Sequence, residues 1–368
     1  MLRLLIASFC LLSLLPDLPA QSLRGWQADI QEIKIRSTAD QTDQPALTWS
    51  PKTEDPQPLL VALHTWSGGY SQVSNGPVYA QWCMDRGWHF IAPDFRGPNM
   101  TPAAMGSDLA VQDIVDAVEH MKKTHKVDAS RIYLIGVSGG GHMAMQMAGR
   151  HPEIWAGVSA WCGISDIAAW HTEHVKQGRP DKYAQNIEAS LGGPPVGEAL
   201  AEAMKRSPLT HLARAKAVPL DINHGLQDGR TGSVPFRHSL LAFNRVAEAP
   251  LPEAEILQYY ETLQIPASWP VPEPDPLYVA LYPPGSKRPG WMPGSPETRL
   301  LNEAMRVPKP VVFRQVSGQA RITIFDGGHE ILYTPALNWL AAQKKGQPAV
   351  WKLENPIVIG SGDTQSGL

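Results

Sequence analysis

Cysteine is scarce in this chain: Cys10, Cys83 and Cys162 are the three found among 368 residues. That excludes a fold stapled by several disulfides and a zinc site built on four cysteines. Charge of one sign is lacking as well. The 32 basic and 35 acidic side chains leave a net charge of −3, which is no electrostatic footprint for nucleic acid. After residue 15 no apolar run is long enough to span a bilayer. Neither a phosphate-cradling glycine loop nor a dinucleotide fingerprint occurs, so no cofactor is implied. There is no internal repeat, which removes the solenoids and propellers.

What is present is enough apolar material, 43%, for the core of one large domain, together with 34 prolines that cluster. The first residues carry one arginine, then an apolar run over 4–15, then Pro16 and Leu18-Pro19-Ala20. This layout reads as a secretory leader over residues 1–20, which places the mature protein in the periplasm or outside the cell with no membrane span. In that oxidising setting Cys83 and Cys162 either pair or stay as two buried thiols.

Residues 30–35 alternate apolar and polar, as a half-buried strand does, and 46–49 make a second short strand. Short apolar runs at 59–63, 88–92, 132–135, 155–161 and 218–223 read as strands buried on both faces. Helical periodicity separates them, most clearly at 78–86, 108–122 and 234–246. The alternation predicts an α/β fold: a mostly parallel central sheet with helices on both faces. Two segments depart from it, about 165–195 and 250–310, and both read as insertions forming a cap over the sheet. The second is rich in proline and aromatics and is expected as an extended layer. The pair 311–316 and 321–325 reads as two joined strands, followed by a helix at 334–343. The catalytic domain is thus expected over 24–350, with a tail at 351–368.

Ligands in such sheets sit outside the carboxyl ends of the strands. The polar, glycine-rich segments all follow strand ends here. One of them is Gly136-Val137-Ser138-Gly139-Gly140, between an apolar strand and the helix-like Met143-Ala144-Met145. A serine in a Gly-x-Ser-x-Gly turn of that kind is held in a sharp turn with its hydroxyl exposed. It needs a base, and the base needs an orienting carboxylate, in the chain order serine, acid, histidine. Asp228 and His329 each follow a strand and meet that order; Asp221, Asp326 and Glu330 are the competing carboxylates. The backbone N–H of Gly139 and that of Trp66, in the loop after an earlier strand, are the expected oxyanion donors. Thr65, Trp161 and Trp170 are expected to line the rim and touch substrate, and Tyr259, Tyr260 and Trp269 extend that aromatic set. Arg96 is expected to brace the rim through Asp113 or Asp94. His171 and His174 are spaced for a helix, but no further ligands complete a metal site, so they read as a solvated cap face and no metal is expected.

Several pieces together resemble the catalytic domain of the prolyl oligopeptidase family, within the α/β-hydrolase superfamily. They are Pro93-Asp94-Phe95-Arg96-Gly97, Asp128-Ala129-Ser130-Arg131-Ile132 leading into the Ser138 turn, Ser207-Pro208-Leu209, and His224-Gly225-Leu226-Gln227-Asp228. The resemblance implies Ser138 as nucleophile, Asp228 as acid and His329 as base. Three features depart from it. Gly139 stands where the family commonly has an aromatic, which reads as open space beside Ser138. The valine-proline that usually follows the acid is displaced to Val234-Pro235. Roughly a hundred residues separate Asp228 from His329, where one helix and short loops would do. The fold and triad are therefore better supported than peptidase specificity. The expected activity is an exported carboxylic ester hydrolase acting on a small-molecule or glycan ester. A prolyl-oligopeptidase-like peptidase acting on short peptides is the alternative, and a non-catalytic glycan- or peptide-binding protein is the third reading.

Overall fold

A computed structural model of the chain describes residues 23–278 and 309–357. The expected leader, the middle of the second insertion and the end of the tail lie outside the described residues. In chain order the elements begin with β1 (Gln31–Arg36), β2 (Asp43–Trp49), β3 (Gln57–Leu63), α1 (Gly76–Arg86), β4 (His89–Pro93), α2 (Asp108–Thr124), β5 (Val127–Val137), α3 (Gly139–Arg150) and β6 (Gly157–Trp161). An excursion follows: α4 (Ile167–Glu173), the ribbon β7 (Val175–Lys176) and β8 (Arg179–Pro180), α5 (Lys182–Leu191), α6 (Glu198–Lys205) and α7 (Pro208–His211). The chain then returns through β9 (Leu220–Gly225), α8 (Arg237–Val246), α9 (Glu253–Thr262), β10 (Val311–Ser317), β11 (Ala320–Phe325) and α10 (Tyr333–Ala341).

Among the described residues nine strands make one sheet in the order β1-β2-β4-β3-β5-β6-β9-β11-β10. The run from β4 through β11 is parallel, and the three flanking pairings, β1 with β2, β2 with β4 and β10 with β11, are antiparallel. Strand β3 shows why the sequence folds so. Leu59, Val61 and Leu63 join the core on one face, with Ile114 and Val118 of α2 and Met143 and Met147 of α3. Leu60 and Ala62 join the core on the other, with Tyr79 of α1 and Trp339 of α10. A two-residue period with apolar side chains on both faces demands helices on both sides. Helix α2 starts where Ser107 accepts a hydrogen bond from Ala110 N at 3.1 Å, and carries Asp108 in its first turn and Lys122 and Lys123 in its last. Both charge placements complement the helix dipole.

The excursion forms its own small core from Ile167, Trp170, Ile187 and Ala203, which packs on Trp66, Met105 and Val234. The second insertion departs from the expected extended layer. Its first part is the helix α9, with Pro252 at the N-cap and Glu253 and Glu255 in the first turn. The negative side chains there offset the partial positive charge of the helix start, a local signal that the proline-rich composition hides. Cys83 and Cys162 are both buried and unpaired. No helix among the described residues is long and apolar enough to cross a membrane. Arg96 donates to Asp113 at 2.5 Å and to Asp40 at 2.6 Å. Asp94 instead accepts from Tyr70 N at 3.0 Å and so holds the loop after β3.

Candidate active site

Ser138 lies between the end of β5 and the start of α3 with φ 61° and ψ −121°. This left-handed region is costly for a residue with a Cβ, by about 1–3 kcal/mol. The turn is held by Ser138 N donating to Trp161 O at 2.9 Å. It is also held by packing that excludes side chains at Gly136 and Gly140. A Cβ on Gly136 would strike the Gly140 backbone, and one on Gly140 would lie 2.7 Å from Leu63 O. Strand and helix can approach this closely only without those atoms.

The carboxylate beside the histidine is Asp228. It sits in the turn after β9, and His329 sits in the loop after β11, so both occupy carboxyl ends of parallel strands, as Ser138 does. His329 Nδ1 donates to Asp228 Oδ2 at 2.6 Å. Asp228 is fully buried, and three further donors close it: Gly229 N at 2.9 Å and Val234 N at 3.1 Å on Oδ1, and His224 Nε2 at 2.9 Å on Oδ2. Burial by itself would raise its pKa. The hydrogen bonds from His224 and His329 outweigh that and hold it well below the usual carboxylate range. The competing carboxylates are elsewhere. Asp221 is bound to Arg321 at 2.7 Å within the sheet. Asp326 is exposed, and Glu330 accepts from Gly328 N at 3.0 Å and pairs with Lys309 at 3.1 Å. Ser138 Oγ makes no hydrogen bond to any described residue, His329 included, so the serine–histidine contact is the open link of the set. Such contacts commonly close only when substrate is bound.

Gly139 does not open a space. A Cβ there would lie 2.5 Å from both N and Cα of Trp66 and 3.0 Å from Asn99 Nδ2. The backbone of the loop after β3 fills the position that the missing side chain vacates. The same packing brings the Trp66 N–H beside the first turn of α3, where Gly139 contributes a helix-start N–H with no intrahelical acceptor. The Trp66 ring turns toward the excursion after β6, edge-on to Trp170 at 4.6 Å, with Nε1 donating to Asn186 at 3.3 Å. Thr65 is half-buried and donates from N and Oγ1 to Gln72 at 3.0 and 3.1 Å.

Trp161 and Trp170 do not reach the rim surface. Trp161 has 0% exposure and packs between Tyr278 and Phe325, because the last residue of β6 points to the α10 side of the sheet. Trp170 has 1% exposure and donates through Nε1 to Ser233 O at 2.8 Å. Tyr259 and Trp269 are buried too. Of the aromatic set described here, Tyr260 keeps accessible surface, with Arg230 and Arg237 stacked on its ring at 4.6 and 4.3 Å. The cap histidines are not a solvated face. His171 is buried against Glu188 at 2.9 Å, and His174 bridges Asp181 at 2.7 Å and Ser233 O at 2.8 Å.

Three residues of the site have roles that the sequence does not announce. Asn99 fixes the Trp66 peptide: its N and Nδ2 both donate to Trp66 O, at 2.8 and 3.3 Å, while its Oδ1 accepts from Met105 N at 2.9 Å. Gly232 lies against Asp228 Oδ1 and His329, where a Cβ would fall 2.8 Å from His329 Cβ. His224 stands in the sequence only as part of the His-Gly-Leu-Gln-Asp motif. Cys162, His224 and Asp228 bring ligand-type atoms within 4.8 Å of one another. That cluster is already closed by hydrogen bonds, and burial pushes the Cys162 thiol well up, leaving it uncharged.

The parallel sheet, its covered faces and the serine turn after β5 together define an α/β hydrolase. The profile of the prolyl oligopeptidase family matches residues 77–260. The chain belongs to that family, which is one of serine hydrolases. Among curated proteins it is similar to Feruloyl esterase B of Thermothelomyces thermophilus, 28% identical over 183 residues, covering 46% of this chain and 59% of that one. It is also similar to Acetylxylan esterase A of Emericella nidulans, 25% identical over 157 residues, covering 37% of this chain and 51% of the relative. The matches thus span only a little over half the length of these relatives. Among solved structures it is similar to the acylaminoacyl peptidase of Pyrococcus horikoshii, with TM-score 0.47 and 19% identity, over 59% of this chain and 34% of that one.

Proposed function

We propose that the protein is an exported hydrolase of carboxylic esters that works through an acyl-enzyme on Ser138. In this reading Ser138 Oγ attacks the ester carbonyl carbon while His329 Nε2 takes its proton. The developing oxyanion is held by the N–H groups of Gly139 and Trp66. The carbon–oxygen bond to the alcohol breaks as His329 returns the proton to it. Water, deprotonated by the same imidazole, then releases the acid and frees Ser138. Asp228 keeps the Nδ1–H tautomer of His329, so that Nε2 stays available as the acceptor. The observation that carries the reading is the 2.6 Å bond between His329 Nδ1 and Asp228 Oδ2 at the rim where the strained Ser138 turn ends β5.

The curated relatives' names support an ester substrate, and the family match itself favours a peptidase as the second reading. A panel separates them: p-nitrophenyl acyl esters, feruloyl and acetyl glycan esters, and aminoacyl or prolyl anilides. Ester turnover is expected to exceed anilide turnover, and the reverse order would replace the esterase by a peptidase. Labelling by a fluorophosphonate is expected at Ser138, and a folded protein that stays unlabelled would remove the hydrolase reading and leave a binding protein.

The oxyanion pair makes a separate prediction. In Gly139→Ala the new Cβ meets the Trp66 backbone, not a flexible side chain, and the donor pair must spread. The expected cost is about two orders of magnitude in kcat with a smaller change in KM, measured on the best ester of the panel. Unchanged kcat would take Trp66 out of the oxyanion site.

A further inference from the structure

Asp228 carries a second serine–histidine pair on the same carboxylate oxygen that His329 uses. His224 is the penultimate residue of β9 and Ser239 lies in the first turn of α8; both have 0% exposure. His224 Nε2 faces Val234 O at 3.0 Å as well as Asp228 Oδ2 at 2.9 Å. A carbonyl and a carboxylate can only accept, so the proton is on Nε2. With the ring neutral, Nδ1 is an acceptor, and Ser239 Oγ donates to it at 2.7 Å. The hydrogen bonds then run from Ser239 through His224 to Asp228 Oδ2, the same oxygen that receives His329 Nδ1–H at 2.6 Å. Helix α8 anchors the pair. Its neighbouring residues Arg237 and His238 grip Glu173 of the cap helix α4 at 2.5 and 3.1 Å.

We propose that His224 and Ser239 are a positioning pair for the triad, locking the Asp228 carboxylate so that one lone pair of Oδ2 stays aimed at His329. The inference rests on the reading of Ser138, Asp228 and His329 given above. The terminal torsion of an aspartate is broad, so two backbone donors on Oδ1 leave the plane of the carboxylate free to rock. A donor on Oδ2 from a rigid strand removes that freedom. Neither residue has surface with which to touch a substrate, so their effect belongs to the orientation of the imidazole in the transition state and not to substrate binding. The other groups around the pair do not compete for it: Cys162 is an uncharged thiol, and Asp221 is closed by Arg321.

Three variants test this on whichever p-nitrophenyl ester the parent enzyme hydrolyses, with thermal melting to confirm folding. His224→Leu removes the donor and is expected to lower kcat by roughly tenfold to a hundredfold with KM nearly unchanged. His224→Gln places an amide N–H near the position of Nε2 and is expected to recover most of that loss. Ser239→Ala leaves Nδ1 of His224 without its partner, loosening the ring, and is expected to lower kcat by a smaller factor. Parental kcat in His224→Leu, a loss expressed in KM, or a Gln variant as slow as the Leu variant would each overturn the proposal. Should His224→Leu fail to fold, Ser239→Ala decides: kcat equal to the parent's overturns the proposal, and a lowered kcat at unchanged KM supports it. A parent that turns over neither esters nor anilides overturns the underlying reading and this proposal with it. An active parent with unaffected variants overturns this proposal alone.

Discussion

Replacing Ser138 by alanine is expected to lower ester turnover by about six orders of magnitude, the full loss typical when a triad nucleophile is removed. The fold should not suffer. Ser138 Oγ makes no hydrogen bond to any described residue, so its removal orphans no partner. The backbone strain at φ 61° stays, because alanine carries the same Cβ. Ser138→Gly should be equally inactive yet melt at a higher temperature, since glycine occupies that conformation without the penalty. Activity and stability thus pull this one residue in opposite directions, as a strained functional turn requires. The measurement is kcat on the best ester beside a melting curve for each variant. Turnover in Ser138→Ala within tenfold of the parent would place the chemistry on another residue.

The parts of the site that were legible in the sequence are those set by local sterics or chain order. Gly136, Ser138 and Gly140 announce a turn because strand and helix cannot meet there with side chains present. Strand β3 announces itself because Leu59 to Leu63 must be apolar when both faces are covered. What failed to read is set by contacts between distant segments. The absence of a side chain at Gly139 looks like room, but the Trp66 backbone from another loop occupies it. Trp161 and Trp170 look like rim aromatics, since a strand end or a cap helix gives no sign of which side its ring takes. Both rings went to the core, where each indole N–H has an acceptor, Ser159 for Trp161 and Ser233 for Trp170. Asn99 and His224 act through contacts between segments that meet only in the fold.

Asp228→Asn tests the acid with the least disturbance of shape, and it is expected to lower kcat by about four orders of magnitude. An asparagine presents one oxygen and one N–H2 group. If its oxygen serves Gly229 N and Val234 N, its N–H2 group faces the N–H of His224 and of His329, and donor opposes donor. His329 can respond only by losing the Nδ1 proton, which moves it to Nε2, where the proton of Ser138 has to go. If the amide turns over, the two backbone donors are opposed instead. Each such buried mismatch costs about 1–3 kcal/mol, so the variant should also melt lower. Asp326→Asn changes an exposed side chain, while the carboxylate bonded to His329 is that of Asp228, and it should retain parental rate and melting temperature. Acid behaviour follows from the same bonds. The Asp228 carboxyl is held below its unfolded value, so its contribution to stability is present above the ordinary carboxylate range and is lost as pH falls through the depressed folded value. The fold should therefore keep this contribution through mild acid and lose it only well below the ordinary carboxylate range, which melting curves against pH check. A rate loss in Asp326→Asn larger than in Asp228→Asn would reverse the assignment of the acid.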